Sequence, residues 1–459
     1  MNTSMSRTGG RRSTLGVLAL AVLTLAGCNV DKMLNLTDPD IINPSDLANP
    51  AGAEAERIGA LGRLNQATSG TVAGVEATFF LYGGLMADEY RSGDTFIERN
   101  ATDQRDILTN NANIQQAIGI LHAARVSAFQ AHEALKKYAP NAPKWEVAEM
   151  YVAEAFTENM LAENLCNGIP LSYTLEGGVK VFGSPLTNAE VYARALAHYD
   201  TALILVGNTA GEMEDTTRWK AMIGRGRVLL NLARFADAAT AVASVPTDFV
   251  WQQEHAQTTT SNVIWSLNIS GRRYTVAENE GPLGLNFHTA NDPRVPTCKG
   301  GTAGCPTDNP KVFDPGATFP LWVQKLWTEP ESPVTIASGV EARLIQAEAL
   351  LQAGNATWLD TLNILRSRVS GLAPLTDPGN ATARQDLLFR ERAFWLFSTG
   401  HRLPDLRRLM RAPYGRTQAQ VFPTGAYIKG GSYGSDVNFP VTQAEENNPN
   451  FHGCIDRNA

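Results

Sequence analysis

Basic residues are in short supply in this 459-residue chain: 39 Lys and Arg stand against 46 Asp and Glu, a formal net charge of −7. A nucleic-acid binder needs a basic footprint to neutralise phosphates, so that class is excluded. Adhesion to anionic lipid through a basic surface is excluded on the same ground. Long apolar runs are also scarce. The one of note, Leu15–Leu25 (LGVLALAVLTL), has eleven residues, too few to span about 30 Å of hydrocarbon as a helix, which rules out a polytopic membrane protein. Cysteine is limited to five residues, and seven histidines are scattered without metal-ligand spacing. No H-E-x-x-H, P-loop or EF-hand pattern occurs. No cofactor and no metal is expected, and although Asp and Asn are plentiful, no spacing demands calcium. What the chain does have is 43% apolar residues with only 19% charged, on a length that suits one large domain or two to three ordinary ones.

The first 27 residues read as an address. Arg7, Arg11 and Arg12 precede the apolar run, no acidic residue occurs before Cys28, and small residues follow the run; this is the pattern of a secretory signal peptide. The ending Leu25-Ala26-Gly27-Cys28 is similar to a bacterial lipoprotein signal, which makes Cys28 the expected lipidated first residue. Several acyl chains on one residue hold a soluble body stably at a membrane, whereas one chain is marginal. Residues 28–50, rich in Asn, Asp and Pro, read as a tether, and 51–459 as one intertwined domain.

Export also sets the redox compartment. Outside the cytoplasm, the four remaining cysteines favour disulfides over metal. Cys298 and Cys305 enclose a short flexible loop, Lys-Gly-Gly-Thr-Ala-Gly, and are paired on that basis. Cys166 and Cys454 then pair by default, tying the C-terminus to a mid-chain helix end.

Most of the rest has helical periodicity. Residues 112–138 carry Ile114, Ile118, Leu121, Val126, Phe129 and Leu135 at helical spacing and stop before Pro140. Residues 145–165 form a second amphipathic run, and Thr187 or Asn188 caps a third helix reaching about Val206. Two later stretches, Trp219–Val245 and Ala342–Val369, each read as helix, short break, helix. Small residues alternating with aromatics in paired helices mark tetratricopeptide-type stacking. The expected fold is therefore mainly α: a superhelical body of helix pairs with long irregular insertions. Those insertions are 247–335, which includes a strand-like stretch from Val263 to Ile269, and 412–440, rich in Gly and aromatics. Long insertions of this kind are commonly functional.

The most distinctive stretch is Leu387–Arg411 (LLFRERAFWLFSTGHRLPDLRRLMR). Its helix is apolar around nearly its whole circumference and is expected to be buried. Glu391 then needs a cation, with Arg392 and Arg402 nearest in sequence, and Gly400 supplies a left-handed stop before Asp405. Glu391, Arg392, Gly400, Arg402 and Asp405 are read as structural. Glu-Arg, an aromatic-rich turn, Gly-His-Arg and Asp-Leu-Arg in this order strongly resemble the signature of the SusD/RagB family of nutrient-binding lipoproteins. Cys28, Asn167-Gly168-Ile169-Pro170-Leu171, Asn291-Asp292-Pro293-Arg294, Glu341–Leu351, Leu365–Arg368 and Phe439-Pro440-Val441 resemble further family motifs in the same order. The resemblance implies a helical body, lipid-anchored at the outer membrane and on the cell surface. It would capture oligosaccharide or another nutrient for a SusC-like TonB-dependent transporter, without catalysis. Asn29-Val30-Asp31-Lys32 follows Cys28 in place of the acid-rich run associated with surface export in that family. The alternative function is a helical-repeat scaffold of an envelope assembly with no small-molecule ligand.

Gly430-Gly431-Ser432-Tyr433-Gly434 fits the G-x-S-x-G pattern, but a nucleophile elbow needs a strand before it and a helix, an acid and a histidine after it. Only about 25 residues remain, so Ser432 is read as part of a turn. Sugar binding calls instead for exposed rings flanked by planar polar groups. The segment 88–105 offers Tyr90, Arg91, Phe96 and Arg99 among further charges, and the 247–335 insertion offers Tyr274, Trp322 and Trp327. The competing readings are a solvated loop for the 88–105 charges and packing against the helical body for the two tryptophans.

Overall fold

The computed structural model describes residues 48–71 and 78–459; the leader, Cys28 and nearly all of the tether lie outside the described residues. No helix among those described is long and apolar enough to cross a membrane. The body is a run of helices, each packed on the next. Helix α1 (Pro50–Thr68) lies on α4 (Ala112–Tyr138), followed by α5 (Lys144–Asn164), α6 (Asn188–Val206), α7 (Glu212–Asn231), α8 (Phe235–Ala241), α9 (Gly339–Gln352) and α10 (Thr357–Ser367). Short helices α2 (Phe79–Met86) and α3 (Ile97–Asp103) join α1 to α4 through the segment that contains residues 88–105. Helices α11 (Ala381–Trp395) and α12 (Arg402–Met410) hold the signature.

Local chemistry explains these boundaries. The Asn111 side chain accepts from Ile114 N and starts α4, while Thr187 and Glu190 form a reciprocal capping box on α6, each satisfying donors that the first turn leaves open. Alanines 117, 124, 128 and 131 line the buried face of α4, so neighbouring backbones approach closely. In α7, a β-carbon on Gly224 would strike the Tyr199 ring and one on Gly226 would strike Val242. The Gly-Arg-Gly of that helix is therefore a packing device.

Helix α5 departs from the amphipathic expectation. From Val147 to Asn164 all but one of its residues are buried, glutamates included. It is the central helix, and each acid is met by a basic side chain from a neighbouring element. Glu149 pairs with Arg57 and Lys220 at 2.7 and 2.8 Å, Glu154 with His132 at 3.0 Å, Glu158 with Arg194 and His198 at 3.1 and 3.0 Å, and Glu163 with Arg227 at 2.6 Å. Ionised carboxylates are retained in a core only when paired in this way.

Strands are short and come in antiparallel pairs. The ones that matter here are β1 (Tyr90–Ser92) with β3 (Tyr274–Val276), β2 (Val250–Gln253) with β6 (Val334–Ser338), and β4 (Thr297–Lys299) with β5 (Trp322–Gln324). The stretch read as a strand from Val263 to Ile269 is helical instead, a short α-turn running into a π-turn at Ser266–Ser270. The Asn262 side chain accepts from Ile264 N and Trp265 N, and this local cap overrides β-propensity. Both disulfides form, Cys298–Cys305 within its small loop and Cys166–Cys454 between the end of α5 and the C-terminal segment.

Candidate functional site: a face built from three insertions

The three irregular segments meet. Strand β1, from the 88–105 segment, pairs with β3 of the large insertion, with Tyr90 opposite Val276, Arg91 opposite Thr275 and Ser92 opposite Tyr274. Gly93 N donates to Arg273 O and Asp314 N donates to Gly93 O, extending the seam. From the 412–440 segment, Lys429 donates to Asn100 at 2.9 Å and pairs with Asp314 at 2.8 Å.

Alternation along β1 decides which of its residues reach the surface. Tyr90, Ser92, Tyr274 and Val276 face the core, and Tyr90 and Tyr274 have no exposed surface. The Tyr90 hydroxyl instead donates to Ser398 of the signature turn at 3.1 Å. Arg99 is buried against Asp94 at 2.6 Å, and Trp327 is buried beside a cleft of about 530 Å³ between β6 and the end of α11. Tyr90, Tyr274 and Arg99 are corrected from ligand contacts to framework, while Trp327 lines that cleft. The solvated-loop reading of the charges also fails, because Asp88, Asp94, Arg99, Asp103 and Arg105 are all buried. Arg91, Phe96 and Trp322 do reach the outer face.

Around those three stand residues that the sequence did not single out. Arg273, fixed by Asp94 at 2.7 Å, lies between two exposed rings, 4.9 Å from the centroid of Phe96 and 4.1 Å from that of Phe313. The rings are 47% and 39% exposed, so the guanidinium holds apolar faces in water in a fixed orientation. On the Arg91 side, Trp322 stacks on His288 at 3.9 Å with 7° between planes. Glu278 receives the His288 N–H at 3.0 Å, and its carbonyl accepts from Arg91 at 3.1 Å. Phe313 and His288 had no sequence signal beyond lying in a long insertion.

Beneath this surface two carboxyls share a buried polar ring. Glu280 meets Arg91 at 3.0 Å and the Tyr433 hydroxyl; Asp103 accepts from Tyr427 at 2.7 Å and from Ser92 N at 2.9 Å. The two tyrosines pack edge to face. Burial pushes Asp103 up to about 6 against the pull of its hydrogen bonds, and burial together with the Asp103 charge pushes Glu280 up to about 8. Ser432 sits in the turn beside Tyr433, flanked by Gly430 and Gly431 at positive φ, its carbonyl accepting from Gln104. No helix follows it directly, since residues 433–442 are non-helical, and it carries no elbow geometry.

The signature residues fasten this face to the body. Arg402 bridges Asp88 at 2.6 and 2.7 Å and donates to Leu283 O, so one side chain holds two of the three insertions. The partners expected for Glu391 are corrected: it binds Arg294 at 2.6 Å and Arg366 at 2.8 Å, while Arg392 turns to Asp405. Burial works against ionisation of Asp405, but Arg392 and Arg408 outweigh it and hold the carboxyl below the usual range. Gly400 does adopt positive φ, 74°, and a β-carbon there would strike Phe80.

No protein-family model and no curated protein matches the chain. Solved structures do. A SusD superfamily protein of Bacteroides fragilis superposes with a TM-score of 0.66 at 15% identity, covering 88% of this chain and 99% of its own. A SusD-like carbohydrate binding protein of Bacteroides vulgatus gives 0.61 at 13%, covering 88% and 97%. This chain has the SusD fold. Surface glycan-binding protein A of Bacteroides uniformis matches at 0.59 and 13% identity, over 87% of this chain and 99% of its own. Near-complete coverage of each SusD-fold neighbour means that helical body and insertions correspond together, so the fold-level expectation holds along nearly the whole length.

The fold also assembles a group of possible metal ligands that the scattered histidines concealed. Glu154, Glu158 and His198 bring donor atoms within 4.8 Å of one another inside the helical body. The only signal in the sequence was the four-residue spacing of the two glutamates on one helix.

Proposed function

We propose that this protein captures oligosaccharide on the face built by its three insertions and passes it to a TonB-dependent outer-membrane transporter, without catalysis. In this reading Cys28 carries the lipid anchor, residues 28–50 are the tether, and residues 51–459 form the binding domain at the cell surface. The observation that carries it is the set of oriented rings in water: Phe96 and Phe313 about Arg273, with Trp322 stacked on His288. Apolar ring faces flanked by Arg91 and Glu278 suit a pyranose, which presents C–H groups on one face and hydroxyls at its edge. The SusD-fold neighbours described as carbohydrate- and glycan-binding proteins support the same ligand class.

Titration of the protein with a panel of oligosaccharides, followed by tryptophan fluorescence, tests it. Saturable quenching by one glycan class, lost in Trp322→Phe and kept in Trp327→Phe, is the expected result. Recovery with a barrel transporter on co-purification supports delivery. Recovery with envelope assembly factors alone, together with a flat titration, overturns the proposal in favour of a scaffold.

A further inference from the structure

Inside the helical body three metal-ligating side chains converge from two consecutive helices, and a fourth side chain, His132, hydrogen-bonds one of them. Glu154 and Glu158 stand one turn apart on α5, His132 comes from α4 and His198 from α6. His132 Nε2 is 3.0 Å from Glu154 Oε2, and His198 Nδ1 is 3.0 Å from Glu158 Oε2. One oxygen of each glutamate and one nitrogen of His198 already lie within 4.8 Å of one another, a span that a single ion at about 2.0–2.2 Å from each donor bridges with small side-chain rotations.

The surroundings hold these donors in place. The Tyr151 ring stacks on His132 at 4.2 Å and 15°, which sets the imidazole plane. The Tyr173 hydroxyl donates to Glu154 Oε1 at 3.2 Å, leaving the other oxygen toward the histidine. Such outer partners orient metal ligands. Both glutamates are buried, while the His198 side chain is 18% exposed, which leaves an entry path.

We propose that Glu154, Glu158 and His198 bind a divalent first-row transition ion of the zinc class, with His132 orienting Glu154. One imidazole and two carboxylates, with a fourth position open to water, suit that class, and they are too few for calcium. Two arginines compete for the same charge. Arg125 donates through one nitrogen to Ser172 O and lies over the Tyr173 ring, yet the Glu158 and Glu154 charges still act on it, so it stays in place as the ion enters. Arg194 Nε lies 3.1 Å from Glu158 Oε1, but its side chain is 38% exposed and can withdraw to water as the ion enters.

The test is metal analysis of the untagged full-length protein, stripped with chelator and then dialysed against zinc chloride. One zinc per chain is expected. Glu158→Gln and His198→Ala each weaken binding roughly tenfold or more, while Arg194→Gln, which removes the competing cation, tightens it. Zinc content at background in the wild type overturns the proposal, as does content that none of the three variants changes. Because a ligand variant can fail to fold, imidazole NMR signals of the wild type give a second reading. Shifts of His132 and His198 on zinc addition support the site, and shifts confined to other histidines overturn it.

Discussion

Arg402 and Asp88, 314 residues apart in sequence, form a buried two-point ion pair at 2.6 and 2.7 Å. The pair ties the first turn after the Gly-His signature to the start of the segment that carries Arg91 and Phe96. Removing one partner leaves a buried charge without its counter-charge, which costs about 3–5 kcal/mol. Asp88→Ala is therefore expected to lower unfolding free energy by that amount in a denaturant titration. Asp88→Leu combined with Arg402→Met should recover much of the loss, because a pair of apolar residues removes the stranded charge.

The ring pair about Arg273 makes a different prediction. Phe96 and Phe313 are exposed and contribute little to the core, so alanine at both positions should leave the melting temperature nearly unchanged. Glycan affinity should fall about tenfold, or about 1.4 kcal/mol, in calorimetry. Arg273→Ala should lower affinity as well, through loss of ring orientation, although the guanidinium is largely covered by the rings.

The buried ring of Glu280, Asp103, Tyr433 and Tyr427 predicts a pH dependence. Burial raises Glu280 to about 8, above its ordinary value near 4.5, so the folded state holds a proton that the unfolded state has released. The associated stability is complete below about 4.5 and is lost as pH rises through about 8. Asp103, raised to about 6, acts with the same sign in a lower window. Urea titrations between about pH 5 and 8.5 should show wild-type stability falling relative to Glu280→Gln, whose side chain keeps the neutral form throughout. Parallel pH profiles for the two proteins would contradict this account of the ring.

The Cys166–Cys454 bond closes the end of α5 against the C-terminal segment. Replacing both cysteines by serine is expected to cost about 2–5 kcal/mol, read as a lower midpoint in chemical denaturation. The Cys298–Cys305 pair spans only a small loop and should matter less.

The helical body was legible because its signals are local. The cap at Thr187, the stop before Pro140, and Ile114, Ile118, Leu121 and Leu135 on one buried face of α4 all lie within a turn or two of the element they define. The site was legible only in part. Tyr90 and Arg91 are neighbours of similar promise in sequence, and only the register of β1 on β3 sends one inward and the other outward. Glu391 finds Arg294 and Arg366 across the fold, where no spacing rule reaches. Helix α5 was read as amphipathic, whereas basic side chains from α1, α4, α6 and α7 let its glutamates be enclosed.

The link between Cys166 and Cys454, 288 positions apart, encloses the large insertion, the signature helices and most of the outer face within one covalent ring. A single proteolytic cut anywhere on that ring opens it without releasing a fragment. A protein displayed outside the cell would thus tolerate one nick in a loop and keep both cut ends on the same particle, separating into pieces only after a second cut or after reduction.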